Sequence, residues 1–414
     1  MKIYKFGGAS VRDAAGVRNV AAIIERCAGE ELYVVVSAMG KMTNAFEALL
    51  EKYMQSSDYE SDMQYVQRFH LEICEELFPS HHAVFAELER YFVQIENLLE
   101  QNRSQSYSFV YDQLVVFGEL LSTTIVSQYL AWAGVENTWL DAREIIRTSA
   151  DYREGKVDWA LTCSNLQQVR AEGMCVIQGF IGSDENYFST TLGREGSDYT
   201  GAILAYCLDA ESLTIWKDVA GVLNADPRYF EETHLLQKIS YEEAIELAYY
   251  GASIIHPKTL QPLQRKKIPL YVRSFEREEL PGSVITEGAA IEPLVPCFIV
   301  KKGQTVVRVA TKDFSFIDEE ILQKIFDNLS KNKLKVNLMQ ISAISVLLCV
   351  EDKYSLLATA LKDFEENFVV QKYGSCSLYT IRHGAANSAE QIERSGEVLI
   401  HQQNGNTLQL VIQA

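Results

Sequence analysis

Positive charge is short in this chain: 38 lysines and arginines face 56 aspartates and glutamates, a formal net charge of -18. Sequence-independent attraction to nucleic-acid phosphates is thereby excluded, because it needs a broad cationic surface. A nucleotide substrate stays open, provided cations are gathered locally. The 8 cysteines (Cys27, Cys74, Cys163, Cys175, Cys207, Cys297, Cys349 and Cys376) include no Cys-x-x-Cys pair and no metal-like spacing to histidine. Reduced, buried thiols are the expectation. Long apolar runs are also missing. The opening Met-Lys-Ile-Tyr-Lys-Phe-Gly-Gly is too short for a signal peptide, and no later run approaches the ~20 apolar residues of a membrane span, so the cytoplasm is the expected location. No Gly-x-x-x-x-Gly-Lys-Ser/Thr occurs, which excludes a P-loop.

What is present centres on Gln178 to Gly201. An apolar run from Met174 to Ile177 reads as a buried strand, and Ala202, Leu204, Ala205 and Leu208 recur at helical spacing beyond it. Between them lie Gln-Gly-Phe-Ile-Gly-Ser, a polar loop, and Thr-Thr-Leu-Gly-Arg-Glu-Gly-Ser-Asp-Tyr-Thr-Gly. Glycines let backbone N–H groups approach a ligand closely, and a helix N-terminus adds partial positive charge. Arg194 can fork onto a carboxylate or phosphate. Asp198 reads either as a ligand-site residue or, with Ser197, as a helix cap.

With 414 residues and 47% hydrophobic content, two or three domains with full cores are expected. Lys2 to Phe6 reads as a strand closed by Gly7-Gly8-Ala9-Ser10, followed by a helix burying Val17, Val20, Ala21 and Ile24, then a strand from Leu32 to Val36. This is the opening of a parallel α/β sheet, whose ligands bind beyond the carboxyl ends of the strands. Lys5, at the mouth of the glycine turn, is either surface decoration or a point charge for a transferring phosphoryl group. Residues from about 55 to 133 read as helical, with Pro79 the only proline. There Glu119 sits among Val115, Val116, Phe117, Leu120 and Leu121, where an unpaired carboxylate is costly and calls for a cationic partner unless it faces solvent. Leu213 to Trp216 reads as another strand, ending in Lys217-Asp218. Beyond Gly282 the pattern shifts to short strands and two helical spans, roughly a βαββαβ unit and an abbreviated second one.

Read together, Lys5-Phe6-Gly7-Gly8, Gly118-Glu119, Gly179-Phe180-Ile181-Gly182 and Gly193-Arg194-Glu195-Gly196-Ser197-Asp198-Tyr199-Thr200 resemble the aspartate kinases of the amino-acid kinase superfamily. The tail resembles their paired ACT domains, so the likeness spans essentially the whole chain. It implies a carbamate-kinase-like three-layer α/β fold with a mostly parallel sheet over 1–288, and an α+β ferredoxin-like ACT pair over 295–414, the second unit abbreviated. It also implies transfer of the ATP γ-phosphoryl group to the side-chain carboxylate of L-aspartate with Mg2+, giving 4-phospho-L-aspartate, the first step toward lysine, threonine and methionine. On this match Lys5 and the N–H groups of Gly7 and Gly8 steady the phosphoryl charge. Glu119 meets the substrate ammonium and Arg194 its α-carboxylate, with Thr43, Gly196 and Ser197 lining the pocket. Asp198 organises Lys5, while Ser37, Asp218 and Arg228 fall at nucleotide-site positions. No general base is needed, because a carboxylate is already ionised at neutral pH. No protein-held metal, catalytic His or catalytic Cys is expected, and His256 reads as structural.

The chain departs from the family pattern at Ala9, where Thr or Ser is usual. A lost hydrogen bond to a charged group is worth about 1.5–3 kcal/mol, or roughly ten- to a hundredfold in rate. Leu223, Ser253 and Lys217 stand where Tyr, Lys and Thr are common, and Lys258 is a substitute cation for the nucleotide. In the tail, Asn337 and Ser342 match an effector site, with lysine or threonine as candidate effectors, but Ala343 replaces an expected Glu. A homodimer or higher oligomer through the ACT region is expected, with no nucleic acid or membrane partner. Two other readings remain: a weakened or inactive paralogue that binds amino acids, and a kinase of another acidic amino acid.

Overall fold

The computed structural model describes every residue except 28, 170–172, 253–254, 289, 385–387 and 414. Two compact units emerge: Met1–Val222 with Leu235–Ile245 and Ile254–Glu292, and Leu223–His234 with Glu246–Ser253 and Pro293–Ala414.

The first unit opens with β1 (Lys2–Phe6), α1 (Ala14–Glu25), β2 (Leu32–Val36) and α2 (Met42–Met54). Asp13 caps α1 by accepting from Gly16 N at 2.7 Å, and Val17, Val20, Ala21 and Ile24 are buried along it. Next come α3 (Glu60–Leu77), α4 (Val84–Gln101), α5 (Tyr107–Trp132), β3 (Thr138–Leu140), α6 (Ala142–Ile145) and α7 (Trp159–Gln168). The chain continues through β4 (Met174–Gln178), β5 (Ile181–Ser183), β6 (Ser189–Thr191), α8 (Gly196–Cys207), β7 (Ser212–Lys217), β8 (Lys238–Ser240), α9 (Tyr241–Tyr250), α10 (Pro257–Lys266), β9 (Leu270–Ser274) and β10 (Ser283–Thr286). Eight strands form one sheet in the order β3-β4-β2-β1-β7-β9-β10-β8, parallel throughout except for the β9–β10 pair. Helices α7, α8 and α10 pack together, with α8 on β1, β2 and β7. A second group built on α5 lies against β2, β3 and β4. This is the mostly parallel, helix-covered sheet that the sequence implies.

The polar loop after Ser183 connects β5 to β6, which pair antiparallel as a separate hairpin. Two expectations need correction. The absence of any span-length apolar segment does not hold: among the described residues one helix, α5, is long and apolar enough to cross a membrane by length and composition. It is the core helix of this unit, with 78% of its apolar window buried. Its acids and hydroxyls interrupt the run and conceal it in the sequence. Finally, the thiols are not all reduced. Cys163 on α7 and Cys207 on α8 form a disulfide, their Cα atoms 4.8 Å apart, while Cys27, Cys74, Cys175, Cys297, Cys349 and Cys376 are free and buried. A separation of 44 residues carried no pairing signal.

The second unit contains β11 (Cys297–Thr311), α11 (Glu319–Lys331), β12 (Lys335–Ile341), β13 (Ser345–Glu351), α12 (Leu357–Asn367), β14 (Phe368–Arg382), α13 (Glu390–Glu393), β15 (Glu397–Asn404) and β16 (Thr407–Gln413). They build one antiparallel sheet, β12-β13-β11-β14-β16-β15. The strands expected to be short beyond Gly282 include two of 15 residues, β11 and β14. A register shift around Lys301 to Val306 divides the long β11–β14 ladder. One half carries α11 and α12 over Val307, Val309, Val346 and Leu348; the other carries α13 over Ile381, Leu410 and Ile412. These are the two α+β halves, fused along β11 and β14.

Candidate active site

Sheet register fixes the site first. Phe6 of β1 aligns with Val36 of β2 and Trp216 of β7, and Val36 aligns with Gln178 of β4. Gly7, Ser37, Gly179 and Lys217 therefore stand side by side along one rim, at the carboxyl ends of four parallel strands. That is where such sheets bind ligands.

Lys5 reaches this rim and pairs with Asp198 Oδ1 at 2.6 Å, and Lys217 approaches Asp198 Oδ2 at 3.7 Å. Burial opposes ionisation of Asp198, but Lys5 and then Lys217 outweigh it and hold the carboxyl below its usual range. The capping reading of Asp198 fails. The residue before α8 is Glu195, in a left-handed conformation (φ 52°), and no side chain caps the helix. Asp198 turns instead toward two cations. A Cβ on Gly7 would touch this group, lying 3.4 Å from Lys5 Nζ. At Gly8 a Cβ would come within 2.7 Å of the carbonyls of Ala38 and Gly40. The glycine pair thus admits the β2 loop and leaves the lysine ammonium uncovered. Ala9, in the 3-10 turn Gly8–Val11, is exposed.

Glu119 settles the other choice posed by the sequence, because it is buried rather than solvated. Its Oε1 accepts a long hydrogen bond from Ala38 N, 3.4 Å, and its Oε2 has no partner among the described residues. Burial pushes its carboxyl up to about 8, with the Ala38 N–H pulling the other way. Next to it, Ser122 Oγ donates to Ser37 O at 2.7 Å, tying α5 to the same β2 loop. Gly118 packs against Ala38 and Phe46, and Thr43 lies half-buried in the first turn of α2.

Gly179 meets Ser197 so closely that a Cβ on it would lie 2.5 Å from the serine Cβ, and Gly196 packs on Phe180. The N-terminus of α8 is therefore pressed against the end of β4. Arg194 lies exposed between β6 and α8, and among the described residues its guanidinium has no ion pair. Lys258 is committed elsewhere: its Nζ donates to Leu192 O at 3.0 Å and lies 4.8 Å from the Tyr199 ring centroid. Burial lowers its pKa. His256 caps α10, its Nδ1 accepting from Lys258 N, while its own N–H donates to Glu195 Oε2. That is a structural role.

Asp218 is exposed at the end of β7. Arg228 belongs to the second unit and is locked in a forked pair with Asp226, its Nη2 2.6 Å from Oδ2. Leu223 is half-buried in that unit, and Ser253 lies outside the described residues. Also in the second unit, Asn337 accepts from Lys301 Nζ at 3.1 Å and donates to Gln304 Oε1 at 2.8 Å. Ser342 bonds Ser345 through its Oγ and its N–H. Sequence reasoning passes over Asp112, yet its signal matches that of Glu119: an acid inside an apolar helical run. It is wholly buried on α5.

The model of the amino acid kinase family matches residues 1–274. The chain belongs to that family. It is 32% identical over 354 residues to lysine-sensitive aspartokinase 3 of Escherichia coli (strain K12), a match covering 84% of this chain and 78% of the relative. E. coli aspartokinase III, solved with lysine and aspartate, superimposes with a TM-score of 0.83 at 26% identity, covering 100% of this chain and 96% of that one. Clostridium acetobutylicum aspartate kinase gives the same TM-score at 23% identity and shares the fold. Within the amino acid kinase family, this chain is an enzyme of the aspartokinase type.

Proposed function

We propose that the protein transfers the γ-phosphoryl group of ATP to the side-chain carboxylate of L-aspartate, forming 4-phospho-L-aspartate and ADP at the head of the aspartate-derived amino-acid pathway. The observation that carries this reading is two kinds of group along one rim: the Lys5–Asp198–Lys217 cluster at β1 and β7, and the buried carboxyl of Glu119 beside β2, whose Oε2 has no partner among the described residues. An acidic amino acid presents an ammonium to Glu119 and its α-carboxylate to Arg194, with Thr43, Gly196 and Ser197 lining the pocket. Its side-chain carboxylate then faces Lys5, whose ammonium and the N–H groups of Gly7 and Gly8 stabilise the transferring phosphoryl charge. Asp198 keeps the Lys5 ammonium aimed at that point. The carboxylate is its own nucleophile, so positioning and charge stabilisation carry the catalysis. A solved form of E. coli aspartokinase III with aspartate and ADP supports this substrate pair.

Ser37, Lys217 and Asp218 serve the nucleotide on the same rim, while Lys258 braces the Arg194 loop. Mg2+ enters with the nucleotide phosphates. Among the described residues no three His, Cys, Asp or Glu side chains are grouped to hold a metal, and Mg2+ commonly binds through substrate phosphates and water. Residues 1–288 are proposed as the catalytic domain and 295–414 as a regulatory ACT pair that responds to lysine or threonine and joins subunits, in a cytoplasmic enzyme. Inhibition by added lysine tests the effector site proposed at Asn337 and Ser342, both of which are hydrogen-bonded within their own unit. Incubation with ATP, Mg2+ and aspartate or glutamate, followed by hydroxylamine trapping, tests the reading. Aspartyl hydroxamate is expected; glutamyl hydroxamate alone, or no product, overturns it.

A further inference from the structure

Asp112 accepts three hydrogen bonds although it is wholly buried: from Thr191 Oγ1 at 2.8 Å, Thr191 N at 2.9 Å and Arg153 N at 2.9 Å. Burial pushes its carboxyl up to about 6 against the pull of these donors. A buried carboxylate is costly unless hydrogen bonds offset its desolvation, and here three donors do so. Those partners belong to two segments. Thr191 ends β6 and is three residues from Arg194. Arg153 lies in the turn beneath that loop, where Gly155 N donates to Thr191 O at 2.9 Å, and a Cβ on Gly193 would come within 3.1 Å of Arg153 O.

Asp112 and Glu119 lie on the same helix, α5, seven residues and about two turns apart, so they share a face. The helix is buried along this stretch and offers a rigid reference. Arg194, by contrast, sits on a loop held on its far side by Lys258, which donates to Leu192 O, and by Glu195, which accepts from His256 N. Among the described residues Asp112 is the carboxylate that ties the start of that loop to the helix bearing Glu119, while its neighbour Gln113 holds the other end of β6 through Ser189.

We propose that Asp112 is a positioning residue that holds Arg194 at a fixed span from Glu119, and so sets the recognition of the amino-acid substrate without touching it. The inference rests on the roles proposed above for Glu119 and Arg194. Its energetic content is preorganisation: a loop already held in place loses less entropy when the substrate binds. Aspartate binding should therefore depend on the clamp, and nucleotide binding should not.

Two disruptive variants and one conservative control test it. Asp112→Asn keeps the shape but offers an amide N–H to donors, and Thr191→Val removes only the hydroxyl bond. Asp112→Asn should raise KM for aspartate about tenfold or more and Thr191→Val about threefold, with KM for ATP within about twofold in both. Thr191→Ser should restore the wild-type value. Equal losses toward both substrates, or an unchanged KM for aspartate in both variants, overturn the proposal. Amide hydrogen exchange across Leu192 to Gly196 reads the clamp without turnover. Faster exchange in both variants supports it, and unchanged exchange overturns it even if the wild type phosphorylates no aspartate. Failure of the substrate assignment is seen separately, in the wild-type hydroxamate assay.

Discussion

Glu119→Gln exchanges a buried carboxylate for a neutral amide of nearly equal size. In the free enzyme burial has pushed that carboxyl up to about 8, so at pH 7 about nine-tenths of it carries a proton. Ionising it at pH 7 costs about 1.4 kcal/mol, while a hydrogen bond to a charged partner returns about 1.5–3 kcal/mol. The substrate ammonium wins this comparison and draws Glu119 into its charged form. Aspartate binding at pH 7 should then release about 0.9 proton. For the free protein, a folded pKa above the unfolded one means that the contribution of Glu119 to stability is complete below about pH 4.5 and is lost as pH rises through 8. Substrate binding favours the opposite form, so aspartate affinity should climb toward pH 8 and level off above it. Calorimetry in two buffers of different ionisation enthalpy counts the proton. Glu119→Gln should abolish the release and raise KM for aspartate about ten- to a hundredfold, without lowering the unfolding midpoint. A wild type that releases no proton, or a glutamine variant with unchanged kcat/KM for aspartate, refutes this reasoning.

Asp198→Ala removes the carboxylate paired with the nearly buried Lys5 ammonium and should cost about 3–5 kcal/mol in chemical denaturation. Lys5→Met should lower kcat at least a hundredfold, as expected for loss of a charge on the transferring group; a rapid-quench assay reads it, and a fall in KM terms alone would contradict the role given to Lys5. Gly179→Ala forces a methyl onto Ser197 and should shift the start of α8, lowering kcat/KM for both substrates while far-ultraviolet circular dichroism stays unchanged. Thiol titration of the unreduced, denatured protein should find six groups, the number of cysteines outside the Cys163–Cys207 pair; eight would remove the disulfide.

Much of this arrangement was readable in the chain. The strands that form the rim are short apolar runs ending in glycine or polar residues, and a run buried on both faces leaves that mark in the sequence. Glu119 was legible because a carboxylate amid valines and leucines is energetically anomalous. The same anomaly at Asp112 lay seven residues upstream and went unread, since its donors come from segments 41 and 79 residues away. The hairpin of β5 and β6 was hidden for a related reason: its residues are polar, and its pairing is decided by packing rather than by periodicity. In the tail, Gly374-Ser375 reads as a break in the sequence, whereas the ladder against β11 carries the chain through. Asp198 illustrates the limit best. A helix cap and an ion-pair partner require the same residue at the same place, and only the proximity of Lys5 separates them.

The long strands β11 and β14 have one further consequence. Each supplies hydrogen bonds to both halves of its sheet, so the tail is not two beads on a string. Cutting the gene after β14 would leave a dangling ladder partner on each strand, and a half grafted alone would have to borrow its centre from elsewhere. Evolution and engineering must therefore handle this region as a single heritable piece.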